Sequence, residues 1–340
     1  MQQASLSPAY VAAELQARER RSSHDFREAA TSAQSAAEIA RVEGDTESWW
    51  NMTLFQAESL LDAGEFEECA AVAGNLVAES GGTPPQIQAQ VRILKAKAHH
   101  GLGVLDQVAQ EARAAADLMK DEADVEINVK ARHALIAALA DSGKLEAAWA
   151  ESLILADVIS VEVDDQLVGK AYWVIGNAAF LCSKVQEGLR YHELAAATFS
   201  PARNLDIWAK FNKASAAMRL AAEVADADTL RCIERAELAT DVIGGSDEDY
   251  TLLKLNRGHW NFLAGDPNSA IEVLAGICAA AEKTSPQILG EACLLLGRAN
   301  AAIGNRAAAR EYLIEAADHF DAVGAQQRAE QAREFLAAEL

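Results

Sequence analysis

Histidine and lysine are the residues of this sequence best suited to chemistry. His99 and His100 are adjacent and His133 follows them, and imidazole is a common ligand of divalent metals. Neighbouring residues on a helix point about 100° apart, so His99 and His100 cannot easily share one ion. The sequence has no Ser/His/Asp arrangement, glycine-rich phosphate loop or HExxH motif of the kind that marks a catalytic site. We therefore predict no metal, no cofactor and no enzymatic activity.

The composition indicates an all-α protein. Hydrophobic residues make up 51% of the 340 residues, but aromatic residues make up only 6%, and much of the rest is alanine. Alanine has the highest helix propensity and lets neighbouring helices approach closely. Only six prolines interrupt the chain. The alternating Val/Ile/Thr runs that predict strands are absent.

The charge balance argues against nucleic acid as a partner. The chain has 30 basic and 51 acidic residues, a net charge of −21, whereas duplex DNA is bound by cations that replace counterions on its phosphates. Residues 1–8 lack the basic and apolar segments of a signal peptide, and no apolar run reaches the length of a membrane span. The five cysteines form no CxxC pair, which suggests free thiols. We expect a cytoplasmic protein that contacts neither nucleic acid nor membrane.

Turn signals recur at a nearly fixed spacing along the sequence, and the units between them position the histidines and lysines. Successive intervals are 40, 39, 40 and 40 residues, then 82 across two units, then 39. Such a period predicts stacked helix–turn–helix units. The sixth unit has no glycine and is assigned to Glu223–Asp228. The predicted turns are His24, Gly64, Gly103, Gly143, Ser183, a point near 225, Gly265 and Gly304.

Small residues flank most turns at two fixed offsets, with Ile136 and Val108 as exceptions. Seven residues before the turn lie Ala57, Gly176 and Gly297, and five residues after it lie Cys69 and Ala309, among others. We expect these two sites to face each other where paired helices cross. A Gly297→Leu substitution is expected to push the helices apart, whereas Gly297→Ala is expected to be tolerated on propensity grounds.

This pattern resembles the tetratricopeptide repeat (TPR), whose signature is W-x2-LG-x2-Y…A-x3-F. The chain shows it as Cys293-x2-Leu296-Gly297-x2-Asn300…Ala309-x3-Leu313 and as Tyr172-x2-Ile175-Gly176-x2-Ala179…Gly188-x3-His192. The signature aromatic residues are often missing, the closing proline is absent, and the period is longer than 34 residues. In this respect the chain resembles the sensor domains of bacterial signalling regulators, such as maltose-activator-type and peptide-sensing regulators.

The resemblance implies a right-handed α-solenoid of about eight repeats in a single domain spanning 1–340. A last helix over 325–339 would cap the exposed end of the stack. In TPR proteins the first helix of each pair lines a concave groove, which places the groove-facing sites 13, 10 and 6 residues before each turn. On this implied geometry the candidate binding residues are Lys97, Lys130, His133, Lys170, Trp173, Asn177, His259 and Arg298.

The central repeats show a local reversal of charge at these sites, because they carry lysines and no acidic residue. This favours a groove for an acidic peptide or a C-terminal carboxylate, in which an Asn side chain holds the peptide backbone. The alternative is that Lys130 and Lys170 are ordinary solvated residues near helix starts.

Three functions remain open at this point. The first is a scaffold or sensor module that binds a protein or peptide in its groove. The second is the regulatory part of a bacterial signalling or transcription regulator, with its output domain absent or on another chain. The third is a structural protein that assembles into homo-oligomers.

Overall fold

The computed structural model describes residues 7–120, 124–159 and 164–339, and within these ranges the regular structure is helical, with no strand. Residues 1–6, on which the signal-peptide prediction partly rests, lie outside them. The described residues form seventeen α-helices. They are α1 (Pro8–Ser22), α2 (Phe26–Glu43), α3 (Thr46–Asp62), α4 (Phe66–Glu79), α5 (Pro85–Gly101), α6 (Leu105–Leu118), α7 (Val125–Asp141), α8 (Leu145–Val158), α9 (Asp165–Leu181), α10 (Val185–Thr198), α11 (Leu205–Ala221), α12 (Ala227–Ile243), α13 (Asp247–Leu263), α14 (Pro267–Cys278), α15 (Pro286–Ala302), α16 (Arg306–Ala322) and α17 (Gln326–Glu339).

All eight predicted turns adopt the left-handed backbone conformation. In five of them the residue is glycine, for which this conformation carries no Cβ penalty. The other three are His24, Ser183 and Glu223, with φ of 63°, 58° and 58°. Glu223 is thus the sixth turn, which the sequence had located only within a six-residue window.

Side-chain caps define where many helices begin. In α13 the Ser246 side chain accepts a hydrogen bond from the Asp249 amide, and the Asp249 side chain accepts one from the Ser246 amide. Such caps satisfy amide groups that have no partner within the helix. At nine other helices the capping side chain, which accepts a hydrogen bond from an amide of the first turn, is that of Ser7, Asp45, Asp124, Asp164, Asn204, Asp226, Asp266, Ser285 or Asn305.

The chain divides into two compact units, Met1–Lys184 and Val185–Leu340. In the first unit, α1 to α9 pack as consecutive antiparallel helices, and α3, α5, α7 and α9 also contact one another in series. A first helix of each pair therefore lies beside the first helix of the next pair. The prediction of a single domain over 1–340 stays a prediction.

The second unit repeats this arrangement. Here α11, α13 and α15 contact one another in series, and each packs against the second helix of its own pair. The last helix, α17, contacts α16 and α15, and its Ala329 and Ala332 are fully buried there. It caps this unit as predicted. Within each unit, the predicted all-α architecture of stacked helix–turn–helix repeats is confirmed.

The paired small sites meet where helices cross. The Cys69 thiol, five residues after its turn, donates a hydrogen bond to the Ala57 carbonyl, seven residues before it, at 3.2 Å. A Cβ on Gly297 would lie 2.6 Å from Leu313 Cγ and 3.3 Å from the Ala309 carbonyl oxygen. This contact argues against the expectation that Gly297→Ala is tolerated, because helix propensity takes no account of Leu313.

Buried ion pairs recur with the repeat. Glu111 accepts hydrogen bonds from Arg92 and Lys95, each at 2.7 Å. Forty residues later, Glu151 accepts one from Arg132 at 2.9 Å. These pairs join the first helix of a pair to the second, so they fix how the two helices face each other.

Candidate functional site

Four of the predicted binding residues line one cavity in the first unit. Lys97 comes from α5, Lys130 and His133 come from α7, and Lys170 comes from α9. The cavity has a volume of about 320 Å³ and is called the Lys97 cavity below. Its remaining lining is mostly apolar and consists of Ile93, Ala96, His100, Val108, Ala134, Ala137 and Leu167. Because residues about 40 apart become neighbours in stacked repeats, cations that are distant in sequence converge here.

The three ammonium groups influence one another. Lys97 is an exposed residue, but neighbouring side chains partly desolvate its ammonium and lower its pKa, and the positive charges of Lys130 and Lys170 lower it further. Glu58 and Asp62 oppose this shift. Like charges held in one cavity repel, so an anion placed among them would relieve that repulsion.

His133 lies between these cations and is neutral at physiological pH. Burial lowers its pKa to about 4, and the charges of Lys170 and Lys97 act in the same direction. A neutral imidazole offers one donor and one acceptor. His133 can therefore hydrogen-bond a ligand without adding to the positive charge of the cavity.

The lysines differ in how fully their charge is balanced. Lys130 donates a hydrogen bond to Glu126 on its own helix at 2.5 Å, so its charge is partly balanced. Lys97 and Lys170 have no carboxylate within 4.0 Å among the residues that the structure describes. Glu126 is not one of the predicted groove-facing sites, so it balances Lys130 from a neighbouring position on the same helix.

The surface beside the Lys97 cavity changes character toward α3. A second cavity, of about 340 Å³, shares Lys97 and Lys130 but includes Glu58 and Asp62. Arg21 pairs with Asp62 at 2.6 Å and lies 3.8 Å from Glu58. The groove of the first unit therefore has an acidic part, balanced by arginine, beside its lysine-rich part.

The remaining predicted site residues do not line the Lys97 cavity. Trp173 and Asn177 are on α9, like Lys170, and are half-buried, but they are not among its lining residues. His259 and Arg298 belong to the second unit.

Within the second unit His259 and Arg298 influence each other. Burial lowers the pKa of His259 to about 4, and the charges of Arg298 and Arg328 contribute. The Arg298 guanidinium lies between two aromatic rings, 4.9 Å from the centre of Phe262 and 4.8 Å from that of Phe335. Since Phe335 belongs to the capping helix, Arg298 connects that helix to the stack.

The histidines considered as metal ligands point to different surroundings. His99 is buried, whereas His100 is exposed and lies 3.5 Å from Asp141. Over the described ranges, no group of three or more side chains is arranged to hold a metal ion.

Sequence reasoning missed two residues that shape the site. Leu167 supplies an apolar wall one turn before Lys170, and Glu126 pairs with Lys130. The spacing of four residues between Glu126 and Lys130 was a usable signal, because such pairs are neighbours on a helix.

Fold and site together define a helical-repeat protein with a lysine-rich cavity in its first unit. No protein-family model matches the chain, and no curated protein is significantly similar. Among solved structures it is similar to a Rap protein complexed with competence and sporulation factor, at 12% identity and a TM-score of 0.49, over 96% of each chain.

Two other solved structures are similar as well. One is a chain of Naa15/Naa10 bound to HypK-THB, at 12% identity and a TM-score of 0.31, over 97% of this chain and 65% of that one. The other is from the APC/C hetero-tetramer Cut9–Hcn1, at 11% identity and a TM-score of 0.25, over 98% and 97%. In the part of this chain that is described, no helix combines the length and apolarity needed to cross a bilayer.

Proposed function

We propose that the protein is a non-enzymatic scaffold or sensor whose first-unit groove binds a protein segment or peptide, with an acidic group of that ligand in the Lys97 cavity. The observation that carries this proposal is the convergence of Lys97, Lys130 and Lys170 on one apolar-walled cavity in a chain of net charge −21. A carboxylate from an acidic side chain or a C-terminus fits a cavity of this charge.

The polar contacts in the cavity account for only part of the binding energy. An ion pair at a partly exposed site contributes at most about 1 kcal/mol, whereas micromolar binding requires about 8 kcal/mol. Burial against Ile93, Ala134 and Leu167 and hydrogen bonds to His133 would supply the remainder. The lysines then act mainly in selecting an acidic ligand and rejecting a basic one.

The direct test uses a pool of fluorescein-labelled extended peptides that end in Asp or Glu. Binding is measured by fluorescence anisotropy with the free C-terminal carboxylate and with its amide. The double variant Lys130→Glu, Lys170→Glu should weaken binding by about 2 kcal/mol or more, or roughly thirty-fold, because two attractions become repulsions.

The chain offers a matched control for this charge reversal. Lys144 and Lys210 are exposed lysines that pair with Asp106 at 3.1 Å and with Asp206 at 2.8 Å. The double variant Lys144→Glu, Lys210→Glu has the same net charge and should bind like the unmodified protein. Equal binding by both double variants, at unchanged melting temperature, would place the binding surface elsewhere.

A further inference from the structure

Another cavity lies in the second unit, among α10, α11 and α12. Its volume is about 250 Å³, which corresponds to about eight water molecules at 30 Å³ each. It is called the Arg219 cavity below. The lining residues are His192, Glu193, Ala196, Phe211, Ser215, Arg219, Asp228, Arg231, Cys232 and Arg235.

Arg219 is the unusual residue of this cavity, because it is only 3% exposed. Its Nε is buried and has no hydrogen-bond acceptor among the described residues. The nearest carboxylate is that of Asp226, 3.9 Å from Nη1. That carboxylate already accepts a hydrogen bond from the Thr229 amide at 2.8 Å, and the Thr229 hydroxyl lies 3.0 Å from both this carboxylate and the Val224 carbonyl. The charge of Arg219 is therefore only partly compensated within the protein.

The repeat shows that packing does not require a charge at this position. Arg219 is four residues before its turn, at Glu223. The equivalent residue is leucine in two repeats (Leu60 and Leu139) and alanine in one (Ala179), whereas the others have the polar residues Arg20, His99, Asn261 and Asn300. Both leucines are buried to the same degree, at 4% exposure. Since burying a cation is unfavourable unless it is paired, the burial of Arg219 at a position that an uncharged side chain can fill indicates a polar partner in the cavity.

Other groups around the cavity suit an anion. Arg235 is exposed and stacks over the Trp208 ring, 5.5 Å from its centre. Arg231 pairs with Asp228, also at the cavity. The Ser215 hydroxyl lies 3.0 Å from His192 Nδ1, and both side chains are buried. Guanidinium groups bind carboxylate and phosphoryl oxygens through paired hydrogen bonds, and a hydroxyl adds a further donor.

We propose that the Arg219 cavity binds the oxyanion group of a small molecule, either a carboxylate or a phosphoryl group, with Arg219 as its principal partner. The Phe211 and Ala196 side chains give the cavity an apolar wall against which the remainder of such a molecule packs. Glu193 and Asp228 at the cavity restrict it to a ligand of limited charge. This site is independent of the groove in the first unit.

The test uses inorganic phosphate and acetate as probes on the full chain. It is carried out in the Lys130→Glu, Lys170→Glu background, so that the Lys97 cavity does not take up the anion. Binding is followed by NMR through the amide signals of Ser215, Arg219 and Cys232. At least one of the two anions should shift these signals saturably and raise the melting temperature above that in sodium chloride of equal ionic strength.

Variants assign the effect to the cavity. Arg219→Met keeps the side-chain volume but removes the charge, and it should raise the dissociation constant of the bound anion about tenfold or more. If this variant does not fold, the exposed pair Arg231→Gln, Arg235→Gln should weaken binding in the same direction. The exposed Arg310 on α16 provides the control, since Arg310→Gln should leave binding unchanged.

The outcomes separate clearly. A phosphate response without an acetate response identifies a phosphoryl ligand, and the reverse identifies a carboxylate. The proposal is overturned if neither anion shifts the three amide signals. It is equally overturned if folded Arg219→Met binds as tightly as the protein with Arg219.

Discussion

A Gly297→Ala substitution gives the sharpest test of how the helices pack. The added Cβ would lie 2.6 Å from Leu313 Cγ and 2.8 Å from Leu313 Cδ2. Carbon atoms in favourable contact are about 3.5–4.0 Å apart, so Leu313 must move by roughly 1 Å. Leu313 is 1% exposed and packs against buried residues of α15, α16 and α17, which leaves it little room.

Two opposing effects set the magnitude. Alanine is better than glycine in a helix by about 1 kcal/mol, whereas overpacking a core costs about 1–3 kcal/mol. We therefore expect Gly297→Ala to lower the free energy of unfolding by up to about 2 kcal/mol. Gly276, on α14, is exposed and has nothing within 4 Å of an added Cβ. Gly276→Ala should therefore stabilise the protein by about 1 kcal/mol.

The two variants are compared by urea denaturation followed by circular dichroism. Their unfolding free energies should differ by about 1–3 kcal/mol, with Gly297→Ala the less stable. In a Leu313→Ala background the penalty at Gly297 should be much smaller, because the two closest atoms, Leu313 Cγ and Cδ2, are gone. If Gly297→Ala is as stable as Gly276→Ala, the assigned crossing of α15 and α16 is wrong.

Three further predictions concern protons, thiols and domain structure. The pKa of His133 falls from 6.5 to about 4 on folding, so between these pH values the unfolded chain binds a proton that the folded chain does not. As the pH is lowered from 6.5 to 4, the free energy of unfolding should therefore fall by at most about 1.4 kcal/mol per pH unit. Urea denaturation of His133→Gln should show a weaker pH dependence. Cys278 should react with iodoacetamide before Cys293, as measured by mass spectrometry. The hydrogen bond between the two thiols, 3.5 Å apart, lowers the pKa of half-buried Cys278. The same hydrogen bond, together with burial, raises the pKa of Cys293. A single domain over 1–340 predicts that limited proteolysis leaves no stable fragment ending near Lys184; recovery of one would refute it.

The helices and turns of this protein are readable from its sequence because they depend on local chemistry. A left-handed turn is signalled by the glycine that adopts it, as at Gly64 and Gly304, and spacing alone located the turns at His24 and Ser183. The small residues beside most turns are equally readable, because they let the paired helices cross closely. The repeat then predicted that Lys97, Lys130, His133 and Lys170 lie together, and they line one cavity.

Properties that depend on the environment of a side chain were decided only by the tertiary structure. Lys130 and Lys170 look alike in the sequence, yet one pairs with Glu126 and the other has no carboxylate within 4.0 Å in the described part of the chain. The low pKa of His133 arises from burial and from charges on two other helices, which no single repeat contains. Arg219 shows the same limit, because its position in the repeat signals burial, but only the packing of α10, α11 and α12 around it creates a cavity beside an incompletely paired cation.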